Sequence, residues 1–197
     1  MKYDTSMKLY GRVLSHIVRR GVPDREMRKK ILKEYQAVME RADDIGSKNN
    51  LLSSYMLAAY FIAMNRSTGL SAEQNAQILG DGMHASWLLK YMLGDSGNYF
   101  SEEHRKNLRA WSLETHYKRY KNDWVVDILE KDDDFDLGFD YLECGVCKLC
   151  RDEGCPELAK YMCRLDYMLF ELMGIELVRT MTLAEGGEKC DFRMRKK

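Results

Sequence analysis

The chain has 197 residues, 45% of them hydrophobic, and its 31 basic and 31 acidic side chains give a formal net charge of zero. This length suits one domain of ordinary size, or a compact domain with a helical extension, and either can bury a sizeable core. Balanced charge argues against a general nucleic-acid binder, which normally carries a broad basic excess. We therefore expect no nucleic-acid partner.

The sequence also bears on location. Residues 1–8 are polar and lack the apolar segment of a secretory signal. The longest uncharged stretch, 49–65, is rich in Ser and Asn and too short to span a bilayer, which needs about 20 mostly apolar residues. Six cysteines without a secretory signal indicate a reducing compartment. We expect a cytoplasmic protein with no membrane partner.

The first part of the chain, 1–120, is predicted to be helical. Pro23 and Asp24 form a helix start signal, Ser71 and Gln74 form a capping box, and Ser101 precedes two acidic residues. The predicted helices span about 24–44, 51–64, 71–92 and 101–120. The second is apolar nearly all round, which is typical of a central helix in a bundle.

The remainder, 121–197, has a different pattern. Apolar residues alternate with Asp and Gly from Phe135 to Tyr141, the period-two signature of a half-buried strand. We predict strands at 124–129 and 135–141, helices at 144–151 and 156–173, and strands at 175–184 and 189–195. The last two strands would form a hairpin. This order predicts an α+β fold, with a helical N-terminal half followed by a mainly antiparallel sheet and two packed helices, together one compact domain.

Four of the six cysteines lie in the stretch CGVCKLCRDEGCP, residues 144–156. Their spacing comes within one residue of the bacterial iron–sulfur run C-x2-C-x2-C-x3-C-P. However, the intervening residues are compatible with a helix, on which three thiols would spread across one face, and no second CxxC pair completes a zinc site. We interpret Cys144, Cys147, Cys150 and Cys155 as free thiols on a partly buried helix, with no metal.

A second group of chemically active residues is predicted to face inward. Cys163 and Asp166 are three residues apart and share one helix face. Arg179 lies within the apolar face of a predicted strand, where a guanidinium must meet a carboxylate because an unpaired buried charge is very costly. Alternation places Cys190 and Glu143 on inward faces as well. These residues form either a functional pocket or a buried ion pair beside inert thiols.

Short motifs run through the last third of the chain. They are ECG at 143–145, Gly154 with PEL at 156–158, Cys163 with Asp166, RTMTLA at 179–184, the Gly186–Gly187 pair, and CDFR at 190–193. Over about residues 120–195 this combination resembles the L-2-amino-thiazoline-4-carboxylic acid hydrolase family. The helical half agrees with the family only in general pattern.

The resemblance implies a cofactor-independent hydrolase that opens a small cyclic amidine acid. The substrate would be a 2-amino-thiazoline-4-carboxylate-like compound, and the product an N-carbamoyl amino acid such as N-carbamoyl-L-cysteine. For this chemistry we select Cys190 as the nucleophile, because a thiolate beside Arg179 would have a lowered pKa. Asp166 and Glu143 are the candidates for general base and acid. Arg179 would clamp the substrate carboxylate at two points.

The remaining candidates follow from the same motifs. Cys163 is included among the catalytic residues, and Thr182, Gly186 and Gly187 among the substrate-binding ones. The expected partner is a small carboxylate substrate, and a homo-oligomer is left open. Two other functions also stay open: a module that binds a small molecule or metal without turnover, and an iron–sulfur or zinc protein built on the thiol-rich stretch.

Overall fold

A computed structural model describes residues 4–197, in which helices fill the first half and a four-stranded sheet dominates the second. The helices are α1 (Thr5–Ile17), α2 (Arg25–Arg41), α3 (Leu52–Thr68), α4 (Ala72–His84), α5 (Trp87–Leu93), α6 (Ser96–Tyr99), α7 (Glu102–Thr115), α8 (Gly145–Asp152) and α9 (Ala159–Leu172). The strands are β1 (Val125–Leu129), β2 (Leu137–Glu143), β3 (Ile175–Val178) and β4 (Cys190–Lys196). The predicted α+β fold is confirmed.

The helix start signals in the sequence are used as predicted. The Asp24 side chain accepts a hydrogen bond from the second residue of α2. Ser71 and Gln74 form the complete capping box of α4, and the Ser101 side chain caps α7. These caps satisfy N–H groups that the first turn of a helix leaves unpaired.

The predicted helix ends are less accurate. The helix predicted to reach Met92 stops at His84, because the Ser86 side chain caps a separate helix, α5. The helix predicted to reach Tyr120 stops at Thr115, and Lys118 takes a positive φ of 48° that a helix cannot contain. Helix α1 was not predicted as a separate element.

The sheet is antiparallel throughout, with strand order β1-β2-β4-β3. In the central pair, Phe139 lies opposite Phe192 and Tyr141 lies opposite Cys190. Strand β3 also pairs with β4, with Leu177 opposite Met194, so the predicted pairing of the last two strands is confirmed. The register of the central pair brings Cys190 next to the end of β2, where α8 begins.

The third predicted strand, 175–184, is too long. Strand β3 ends at Val178, and residues 179–189 form a loop that contains a short 3₁₀ turn, Leu183–Glu185. The strand stops because the backbone N–H groups of Thr180 and Met181 bond to the Asp191 carboxylate instead of a neighbouring strand. The hairpin therefore has a long shaped loop in place of a tight turn.

Two apolar clusters fill the interior. Helix α3 is central, as predicted, since all of its residues from Tyr55 to Met64 are buried. It packs in one cluster with α1, α2, α4, α8 and α9, so that helices from both parts of the chain share it. The second cluster lies on the sheet and includes side chains from α7 and α9. Among residues 4–197, no helix has the length and apolar character needed to cross a membrane.

Candidate active site

A cavity of about 260 Å³ lies where α3 and α9 meet the ends of β2 and β4. Its walls are mostly apolar and aromatic, as is typical of small-molecule sites. The ionisable side chains that line it are Tyr99, Tyr141, Cys144, Cys163, Asp166, Arg179 and Cys190. Four of the residues selected from the sequence, Cys163, Asp166, Arg179 and Cys190, are therefore brought together.

Arg179 is the most constrained of these groups, since only 3% of its side chain is exposed. Its Nη1 lies 2.9 Å from Asp166 Oδ2, and its Nη2 donates to the Cys163 carbonyl oxygen at 2.7 Å. The guanidinium lies between the rings of Tyr167 and Phe192, at 5.0 and 4.8 Å from their centroids. Its buried Nε has no hydrogen-bond partner. The protein thus leaves part of this donor's capacity unused.

The loop after β3 aims Arg179, and Asp191 fixes that loop. Asp191 Oδ1 accepts from the N–H groups of Thr180 at 2.9 Å and Met181 at 2.8 Å, and Oδ2 accepts from the Thr180 hydroxyl at 2.6 Å. Burial alone would raise the pKa of Asp191, but the bonds from Thr180 and Met181 hold it below its ordinary value. Asp191 does not line the cavity, and it anchors the residues that follow Arg179.

Asp166 has the electrostatics of a proton-transfer group. Enclosure by protein raises its pKa to about 6, and the opposing effect of Arg179 only partly offsets that rise. The side chain still has 31% of its surface accessible, and the residue lines the cavity. An acid with a pKa close to working pH can both accept and return a proton.

The cavity wall is completed by the start of α8, which approaches Trp124 closely. A Cβ added to Gly145 would lie 2.6 Å from the carbonyl oxygen of Asn122 and 2.7 Å from the Trp124 ring. Only glycine therefore fits at the first position of this helix. This contact explains why the ECG motif has glycine in third place.

Cys144 precedes that glycine and occupies the N-cap position of α8. It is half-buried and lines the cavity. The pKa of Cys144 lies below its ordinary value, chiefly because of a hydrogen bond from the Cys147 thiol. The backbone N–H groups of Val146 and Cys147 also lower it, and burial opposes them. The Cys144 side chain makes no cap hydrogen bond to α8. Cys144 was interpreted as one of the free thiols of this helix, and its position directly before Gly145 is the sequence signal for an N-cap.

The pKa values of the other two cavity thiols, Cys163 and Cys190, are raised instead of lowered. Cys190 is 3% exposed and accepts a hydrogen bond from the Leu183 N–H at 3.2 Å. Burial raises its pKa to about 11, and Arg179 opposes that rise only in part, so the expected low-pKa thiolate at Cys190 is wrong. Burial likewise raises the pKa of Cys163, and the Asp166 carboxylate adds to the effect.

Glu143 does not share this cavity. It is the last residue of β2, and its carboxylate pairs with Lys118 and Lys148 on the outside of the molecule. Hydrogen bonds from these two lysines lower its pKa. The expectation that Glu143 continues the inward series is wrong, because the strand ends there and two ammonium groups draw the side chain away.

Thr182, Gly186 and Gly187 also lie outside the cavity wall. The Thr182 hydroxyl donates to Glu185 at 3.0 Å, and its carbonyl accepts from the Gly187 N–H at 2.9 Å. Gly186 has a φ of +87°, which favours glycine. The expectation that these three residues contact substrate is not met by their positions, since they shape the loop after β3.

The thiol-rich stretch is helical, as predicted, because α8 spans Gly145–Asp152. Cys150 is buried in the helical core, while Cys147 and Cys155 are partly buried against it. Throughout residues 4–197, no three His, Cys, Asp or Glu side chains are grouped so that they could hold a metal ion.

No curated protein and no solved structure has detectable similarity to this chain. A family model does match it: that of L-2-amino-thiazoline-4-carboxylic acid hydrolase, over residues 49–194. The matched segment includes α3 and α9, which form two sides of the cavity, and all of the ionisable residues in its wall. The chain belongs to the L-2-amino-thiazoline-4-carboxylic acid hydrolase family.

Proposed function

We propose that this protein is a hydrolase that opens a small cyclic amidine acid, of the 2-amino-thiazoline-4-carboxylate type, to an N-carbamoyl amino acid. The observation that carries the proposal is the pair formed by Arg179 and Asp166 in an apolar cavity of about 260 Å³. Membership of the family supports hydrolysis in general terms. The choice of substrate comes from the resemblance to the family, and the chemistry of the pair is compatible with it.

Arg179 is suited to bind the substrate carboxylate. Each terminal nitrogen uses one N–H group in the contacts to Asp166 and Cys163, and Nε uses none. A buried donor without a partner costs roughly 1–3 kcal/mol, so a carboxylate that accepts from it is favoured. Arginine presents two parallel N–H groups in the geometry that a carboxylate accepts.

Asp166 is suited to move the proton that ring opening requires. A nucleophile must add to the ring carbon between sulfur and nitrogen, and the ring sulfur must leave with a proton. With a pKa of about 6, Asp166 is mostly ionised at neutral pH and can take the proton from water. Well-placed general acid–base groups contribute about 100- to 10,000-fold to rate. The apolar walls fit a compact ring with one charged substituent.

The test is a ring-opening assay with 2-amino-thiazoline-4-carboxylate, followed by chromatography of the N-carbamoyl product. We expect turnover by the wild type, a loss of about 10- to 100-fold in kcat/KM for Arg179→Lys, and a larger loss for Asp166→Asn. Arg195→Lys is the matched control, since Arg195 is exposed on β4. We expect this control to keep wild-type activity.

The opposite results are equally clear. Absence of turnover by the wild type, with the substrate still bound in calorimetry, identifies a binding module and overturns the hydrolase proposal. Equal activity in the wild type and Arg179→Lys overturns the assignment of the carboxylate site.

A further inference from the structure

We propose that Cys144 is the nucleophile of this site and forms a covalent adduct with the amidine carbon during turnover. The inference rests on the proposed ring-opening function and deepens it. Its first support is position: Cys144 lines the same cavity as Arg179 and Asp166 and occupies the N-cap of α8, a helix of 8 residues. Backbone N–H groups at a helix N-terminus favour a negative charge on sulfur.

The second support is independent of the helix. Arg179, whose side chain is 3% exposed, lines this cavity and has an Nε without a partner. Asp166 already balances the charge of Arg179, and the unused Nε donor suits a hydrogen-bond acceptor such as a carboxylate oxygen. Cys144 lines the same cavity as this donor-bearing side chain. A ring held by its carboxylate at Arg179 is confined to a cavity of about 260 Å³ whose wall includes Cys144.

The three cavity thiols differ in their readiness to react. Burial raises the pKa of both Cys163 and Cys190, so these two are neutral thiols at pH 7. The Cys147 thiol and the α8 N–H groups act in the other direction on Cys144. Burial and the Asp166 charge oppose this lowering of the Cys144 pKa. Asp166 lines the same cavity as Cys144, and we assign it as the proton acceptor for this thiol. Thiolate rather than thiol is the attacking species.

The first half-reaction opens the ring. The Cys144 thiol proton passes to Asp166 while its sulfur bonds to the ring carbon, and the electron pair of the C=N bond shifts to nitrogen. That pair returns as the bond between this carbon and the ring sulfur breaks. The departing sulfur takes the proton from Asp166. The product is an isothiourea linked through Cys144, with a free thiol on the opened chain.

The second half-reaction releases the product. Water adds to the same carbon and gives one proton to Asp166, while the other ends on the isothiourea nitrogen. The carbonyl forms as the bond to Cys144 breaks, and Asp166 returns its proton to the leaving sulfur. One water is consumed, no oxidant or reductant is needed, and both side chains regain their starting state.

The adduct itself provides the decisive measurement. Wild-type protein is mixed with excess 2-amino-thiazoline-4-carboxylate, quenched in acid within the first turnover, and analysed by intact-protein and peptide mass spectrometry. We expect a mass increase of one whole substrate on the peptide that contains Cys144. This readout needs no variant, so it stands even if a substitution disturbs folding.

Variants supply the second readout. We expect Cys144→Ser to lose the adduct and at least about 100-fold in kcat, the scale of a missing catalytic group. Cys155→Ser is the matched control, because Cys155 is partly buried but outside the cavity wall. This control should keep both the adduct and the rate.

Two outcomes overturn the inference while the hydrolase proposal survives. The first is wild-type turnover with near-normal activity in Cys144→Ser, which means that water attacks directly. The second is wild-type turnover with no adduct, or with an adduct on Cys163 or Cys190. A wild type that does not turn over overturns the proposed function itself, and these readouts therefore separate the two failures.

Discussion

The Asp191 carboxylate lies 2.6 Å from the Thr180 hydroxyl and also accepts the Thr180 backbone N–H at 2.9 Å. This double contact joins the start of β4 to the residue directly after Arg179. It ends β3 early and fixes the backbone from which the guanidinium turns inward. The RTMTLA and CDFR motifs are therefore linked by these hydrogen bonds, which together position Arg179.

Replacement of Asp191 by Asn should destabilise the fold and displace Arg179. Asn keeps one acceptor but loses the charge that three donors now share, and hydrogen bonds to charged groups are worth about 1.5–3 kcal/mol each. We expect the free energy of unfolding in urea to fall by about 1–3 kcal/mol and ring opening to slow. Asp133→Asn, at an exposed loop position, is the control.

The same variant should change the response to acid. The folded-state pKa of Asp191 is lowered, so its contribution to stability is present above the unfolded value of about 3.9 and is lost as pH falls below it. The stability difference between wild type and Asp191→Asn should therefore shrink between pH 5 and the most acidic pH at which the protein folds. A constant difference across that range would contradict the role assigned to the charge.

Gly145→Ala tests how the start of α8 is packed. The new methyl group would meet the Asn122 carbonyl and the Trp124 ring at distances that no relaxed structure has. Overpacking of this kind costs about 1–3 kcal/mol, and we expect a matching fall in unfolding free energy. Gly80→Ala is the control, because its methyl group would only approach Leu165 at 3.4 Å. An unchanged melting temperature in Gly145→Ala would contradict the close contact.

The thiol-rich stretch should carry no stoichiometric metal. Its thiols are distributed along α8 and the turn after it, with Cys150 in the core and Cys144 at the cavity. We expect protein purified anaerobically to lack iron and zinc in elemental analysis, and treatment with a chelator to leave its melting temperature unchanged. A brown preparation with a broad visible absorbance band would contradict this expectation.

Much of the fold follows from local signals in the sequence. The caps at Asp24, Ser71 and Ser101 and the alternation from Phe135 to Tyr141 depend on neighbouring residues, so they can be read without a structure. The early end of β3 could not be found in this way. It depends on Asp191, which lies beyond the loop and reaches back to Thr180.

The residues of the candidate site likewise fall into those that local spacing predicts and those that depend on distant contacts. Helical spacing was enough to bring the Cys163 and Asp166 side chains to one face, which lines the cavity. There Arg179 bonds the Asp166 carboxylate and the backbone carbonyl of Cys163. The inward prediction for Glu143 was wrong because alternation shows neither that the strand ends there nor that Lys118 and Lys148 pair with its carboxylate. For Cys144, the position before the first residue of α8 can be read from the sequence, but its place in the cavity wall depends on how α8 packs against Trp124, a long-range contact.

The last prediction concerns pH, and it follows from the raised pKa of Asp166, about 6. As a proton acceptor Asp166 must be ionised, so kcat/KM should rise with pH through about 6 and then level off. The Asp166→Asn variant should lose this rise along with most of the activity.

The contribution of Asp166 to folding stability should instead fall as pH rises. Because the folded-state pKa is above the unfolded value of about 3.9, the folded protein binds the extra proton between these values, and stability contributed by that proton is lost as pH rises through about 6. Melting temperatures of wild type and Asp166→Asn from pH 4 to 7 would therefore diverge, with the variant gaining on the wild type at higher pH. A rate that rises with pH while the two melting curves stay parallel would place the titrating group elsewhere than at Asp166.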